Sequence, residues 1–100
     1  MDTIRILIVE DESLVARDIE NMAASQGYKV CGIATTGEQA LEMAAQLEPD
    51  VILMDVIIKG SLDGISIAEK IWETLRIPII YVTAYADEQT LKRAKITEAF

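Results

Sequence analysis

Hydrophobic positions fall into two alternating patterns along the chain. Ile4-Arg5-Ile6-Leu7-Ile8-Val9 is a short run rich in β-branched residues that stops at the acidic trio Glu10-Asp11-Glu12, which predicts a buried strand ending in carboxylates. From Leu14 the period changes: Val15, Ile19, Met22 and Ala23 recur at helical spacing, and Gly27 supplies a C-terminal stop. Tyr28 to Ala34 reads as a second strand, with Cys31 a small hydrophobe inside it. Thr36-Gly37-Glu38-Gln39 has the S/T-x-x-E/Q form of a capping box and opens a second helix with Ala40, Leu41, Ala44 and Leu47 on one face, closed before Pro49.

The theme then repeats. Val51-Ile52-Leu53-Met54 is apolar at every position, as in a central strand covered on both sides, and it too ends on a carboxylate, Asp55. Asp63-Gly64 leads into a third helix with Ile65, Ala68, Ile71, Trp72 and Leu75 at helical spacing. Pro78 precedes a fourth strand, Ile79 to Val82, that ends at Thr83-Ala84-Tyr85, and Asp87 caps a fourth helix running to about Lys95. Strands alternating with helices imply right-handed βαβ crossovers and an open parallel sheet in one domain, residues 1–100. No repeat, low-complexity stretch or linker interrupts it.

Composition removes several functions. The 100 residues carry 9 Lys+Arg against 17 Asp+Glu, a net charge of −8, so nucleic acid or an anionic membrane surface would be repelled. The apolar runs are far shorter than the ~20 residues of a membrane-spanning helix. One cysteine makes no internal disulfide, and no signal peptide is visible, so the expected compartment is the cytoplasm. No G-x-G-x-x-G follows the first strand, against a nucleotide-dependent dehydrogenase.

In open parallel α/β sheets the functional crevice lies beyond the carboxyl ends of the strands. Here those ends are Glu10-Asp11, Asp55 and Thr83. If strands one and three are neighbours, three carboxylates share one pocket, where repulsion is costly unless a cation offsets it, and all-oxygen acidic sites suit hard cations such as Mg²⁺. Plainer roles stand beside this one. The acidic trio could serve only the positive end of helix one, Asp63 could be an ordinary N-cap, and Thr83 an ordinary strand residue. Trp72, Tyr81 and the four methionines read as packing. Asp55 is harder to set aside, lying between Val51-Ile52-Leu53-Met54 and Val56-Ile57-Ile58.

In this order and spacing, Ile8-Val9-Glu10-Asp11-Glu12, Val51-Ile52-Leu53-Met54-Asp55, Leu62-Asp63-Gly64 and Pro78 to Ala84 resemble the receiver domain of two-component response regulators from end to end of the chain. The resemblance implies a flavodoxin-like doubly wound α/β fold with strand order 2-1-3-4, the fifth strand being missing from this chain. It implies a signalling rather than enzymatic role, in which Asp55 accepts a phosphoryl group from a histidine kinase or phosphotransfer protein. Glu10, Asp11, Asp55 and the Ile57 carbonyl would hold Mg²⁺, or Mn²⁺ in its place, and Thr83 and Tyr85 would act as the switch. Its signalling surface would be the fourth helix, and the resemblance is compatible with an output domain beyond Phe100. Two departures are visible. Ile58-Lys59-Gly60 stands where the family has Met-Pro, with Asp63 eight positions beyond Asp55 rather than seven, and Gly60 supplies the turn. The family's fifth strand, with its lysine, and the fifth helix have no counterpart before Phe100, and none of Lys59, Lys70, Lys92 or Lys95 stands in that lysine's place. The expectation is therefore an incomplete receiver with impaired chemistry, whose fourth-strand edge or fourth helix invites dimerisation.

Three alternatives share parts of the pattern. A flavodoxin-like carrier needs hydroxyls and glycines after strand one, and Glu10-Asp11-Glu12 would repel its phosphate. A phosphatase with an Asp nucleophile wants a second Asp two residues later, where Ile57 stands. A pseudo-receiver that only binds protein has no need of the acidic cluster.

Overall fold

The computed structural model describes residues 3–54 and 64–81. Their element order is β1 (Arg5–Val9), α1 (Ser13–Ser25), β2 (Lys29–Ala34), α2 (Gly37–Leu47), β3 (Val51–Met54), α3 (Gly64–Leu75) and β4 (Ile79–Tyr81). The strands form one parallel sheet in the order β2-β1-β3-β4. The chain winds outward from β1 to β2, then crosses back over β1 to β3, so strand order reverses between β1 and β3, as the flavodoxin-like expectation requires. Val82, the expected fourth helix and the Asp63 cap lie outside the described residues.

Alternation along the strands sorts side chains onto two faces. On one, Leu7, Val9, Ile52, Met54 and Ile79 pack with Ala40 and Ala44 of α2 and Ile67, Ala68 and Ile71 of α3. On the other, Ile6 and Ile8 pack with Ala16 and Ala23 of α1, flanked by Ile19, Val51 and Leu53. The first face has two helices and the second, among the described elements, one. Since a helix is about 10 Å wide and strands lie about 4.8 Å apart, each helix covers roughly two strands. That leaves Val51 and Leu53 half-buried and Ile80 exposed, along an apolar trough of about 380 Å³ between α1 and the β3–β4 half of the sheet.

This asymmetry corrects the expected face of α1. Of that face Ala23 is buried and Ile19 half-buried as expected, but Val15 is 38% and Met22 63% exposed, and Ala16 is buried in their place. Small alanines let the helix backbone approach the sheet, and the larger Met22 lies at the lip of the trough instead of inside the core. Met22 is thus an exception to the packing role expected of the methionines, whereas Met54 is fully buried. In β3, Ile52 and Met54 are fully enclosed under α2 and α3 while Val51 and Leu53 are half-buried on the α1 side, so helices cover the strand on both sides, one more deeply than the other. In α3 the buried set is Ile65, Ile67, Ala68 and Ile71, while Trp72 is half-buried under the Arg76 guanidinium, 5.2 Å from the ring centre, and Leu75 is exposed.

Local chemistry closes each element. Gly27 takes φ +88° after α1, and the Gly27 amide donates to the Ala24 carbonyl at 3.0 Å. Thr36 caps α2 by accepting from the Gln39 amide at 3.1 Å. The return bond differs from a standard capping box: Gln39 Oε1 accepts from the Thr35 amide at 2.8 Å and the Thr35 hydroxyl at 3.0 Å, one residue before the cap. At the far end of α2, Arg5 Nη1 donates to the carbonyls of Leu47 (2.7 Å) and Glu48 (3.2 Å), tying β1 to the helix terminus. β2 carries a bulge at Cys31, since Ile6 pairs with Val30 and Leu7 with Gly32. The Cys31 thiol, half-buried, donates to the Ile6 carbonyl at 3.4 Å.

Candidate functional site

The carboxyl ends of β1 and β3 lie side by side, because Ile6, Leu7, Ile8 and Val9 pair in register with Val51, Ile52, Leu53 and Met54. Glu10 therefore leaves the sheet at the point where strand order reverses. Its amide donates to the Ala34 carbonyl at 2.9 Å, extending the β1–β2 ladder one residue past Val9 and fixing the backbone from which its side chain projects.

That side chain is turned inward. Glu10 is only 4% exposed and is the one buried charged residue among those described, with Oε1 accepting from the Glu12 amide at 3.2 Å. Burying a carboxylate this far is expensive unless something compensates the charge. Asp11 follows in a bend and is half-buried, and Glu12 is exposed. Glu12 holds the N-cap position of α1, but its side chain makes no capping hydrogen bond and the first turn contains no acidic residue. The trio thus divides. Glu12 stands at the helix terminus, as a dipole partner would, while Glu10 points into the fold beneath the strand ends. A role at the helix terminus fits Glu12, whereas Glu10 is buried at the end of β1 with its Oε1 on the Glu12 amide.

Of the expected site residues, Glu10 and Asp11 are described and are neighbours at one strand end. Asp55, Ile57, Thr83 and Tyr85 lie outside the described residues. Among the described residues no three acidic, cysteine or histidine side chains gather into a metal-binding group, so Glu10 and Asp11 form an incomplete set by themselves. What they offer a ligand is carboxylate oxygen, the donor type of hard cations such as Mg²⁺. The described structure adds no site residue that sequence reasoning missed. It adds the depth at which Glu10 is held, for which a carboxylate between a strand and a helix gives no signal in sequence. Among the described residues no helix is long and apolar enough to cross a membrane.

Comparison with known proteins agrees with this geometry. The family model of the response regulator receiver domain matches residues 6–100. The transcriptional regulatory protein PdtaR of Mycobacterium tuberculosis is 36% identical over 91 residues, 91% of this chain and 44% of PdtaR. The regulatory protein AtoC of Escherichia coli is 39% identical over 97 residues, 96% of this chain and 21% of AtoC. The chain thus spans less than half the length of either relative. Among solved structures, the signal receiver domain of a modulated diguanylate cyclase from Desulfovibrio desulfuricans G20 superposes with a TM-score of 0.89 at 38% identity, covering 96% of this chain and 76% of that one. The response regulator domain of Thermotoga maritima CheB does so with a TM-score of 0.88 at 31% identity, covering 98% and 75%. With a buried acid at the β1–β3 switch point, a parallel 2-1-3-4 sheet, and a family match from β1 to its last residue, this chain belongs to the response regulator receiver domains.

Proposed function

We propose that the chain is the phosphoacceptor of a cytoplasmic two-component phosphorelay, taking a phosphoryl group onto Asp55 from a histidine kinase or phosphotransfer protein. The observation that carries this reading is the 4% exposure of Glu10 at the switch point. Glu10 follows Val9 in the chain as Asp55 follows Met54, and Val9 and Met54 are register partners. A buried carboxylate retained beside the end of β3 has a purpose if Glu10, Asp11, Asp55 and the Ile57 carbonyl together hold Mg²⁺ or Mn²⁺, since oxygen donors suit those ions. The metal, when bound, supplies charge neutralisation for the transferring phosphoryl group.

The chain's own residues do the rest. An Asp55 oxygen forms a bond to phosphorus while the phosphorus–nitrogen bond of a phosphohistidine donor breaks, and the product is an acyl phosphate. A mixed anhydride is hydrolysed readily, so water resets the signal. These 100 residues contain no histidine, so the phosphohistidine donor lies outside them. The Thr83 hydroxyl donates to a phosphate oxygen and draws its segment inward, with Tyr85 following, so that phosphorylation biases a two-state surface near the expected fourth helix. The role is regulatory, with chemistry confined to its own aspartate.

Incubation with acetyl phosphate and Mg²⁺ tests this. In an intact version of the domain that carries the family's fifth strand and helix, one phosphoryl group is expected per chain by intact mass, absent in Asp55→Asn and absent when the metal is chelated. Equal labelling of Asp55→Asn would overturn the assignment.

A further inference from the structure

We draw no further inference here: the strongest candidate, the apolar trough between α1 and the β3–β4 half of the sheet, carries none because nothing in the structure shows what covers it.

Discussion

Replacing Gly32 by valine should destabilise the fold, against the trend that strand propensity alone would give. A Cβ at Gly32 lies 2.6 Å from Met43 Cε and 3.0 Å from Leu47 Cδ1, where carbon atoms prefer about 3.5–4.0 Å. Both obstacles are side-chain ends on α2, but they differ in freedom. Met43 has three rotatable bonds and can withdraw for about 0.5–1.5 kcal/mol. Leu47 sits at the helix terminus, where Arg5 Nη1 holds its carbonyl at 2.7 Å, so its backbone has little room to retreat. Gly32→Ala should therefore stay within about 1 kcal/mol of the parent, because relief of glycine's backbone entropy offsets the displaced methionine. Gly32→Val adds two further methyl groups to a Cβ that is already too close to Met43 and Leu47, and overpacking of this kind costs about 1–3 kcal/mol. For a domain of this length that is a fall in Tm of roughly 4–24 °C in a thermal melt followed by circular dichroism. Met43→Ala in the same chain should recover at least about 1 kcal/mol of the loss, a coupling that a double-mutant cycle measures. An unchanged or raised Tm for Gly32→Val would refute the reasoning, as would strictly additive losses in the cycle. Either result would mean that the close approach of α2 to β2 is not what demands glycine there.

Further outcomes follow from individual contacts. Arg5→Met removes both bonds to the α2 terminus and should cost about 1–2 kcal/mol, since one carbonyl is partly buried and the other can turn to water, a loss visible in urea unfolding. Thr36→Ala removes the cap to the Gln39 amide and should cost about 1 kcal/mol, whereas Thr36→Ser should keep most of it. Mg²⁺ at about ten times its Kd should stabilise the parent chain by about 1.4 kcal/mol. Asp11→Ala should abolish most of that shift in Tm, and an undiminished shift would place the metal elsewhere.

Much of this fold is legible in the sequence, and the misreadings share a physical origin. Strands β1 and β3 announce themselves as β-branched runs cut off by acids, and Gly27 and Thr36 mark helix ends through backbone needs that few other residues meet. The face of α1 is not legible in that way. Val15, Ile19, Met22 and Ala23 satisfy helical spacing as well as Ala16, Ile19 and Ala23 do, and hydrophobicity favours Val15 and Met22 over Ala16. The alanines are buried because the helix sits close against β1 and β2, a tertiary fact that spacing does not encode. Ile67 lies outside the stripe that spacing predicts for α3 for a related reason: α3 packs on α2 as well as on the sheet, which widens its buried arc beyond one stripe. The bulge at Cys31 depends on register between strands far apart in sequence. At the site, strand ends and acid identities point to Glu10 and Asp11, but only the fold distinguishes the inward Glu10 from the outward Glu12.

Chemical trapping of the phosphorylated residue tests the central claim most directly. An acyl phosphate on an aspartate is reduced by borohydride to homoserine, whereas phosphoserine and phosphothreonine are not. After treatment of an intact version of the domain with acetyl phosphate and Mg²⁺, then borohydride and proteolysis, peptide mass spectrometry should find homoserine at position 55 and at no other acidic position. Homoserine at Glu10's neighbour Asp11 with none at 55, or a stable phosphate on a hydroxyl residue, would contradict the account.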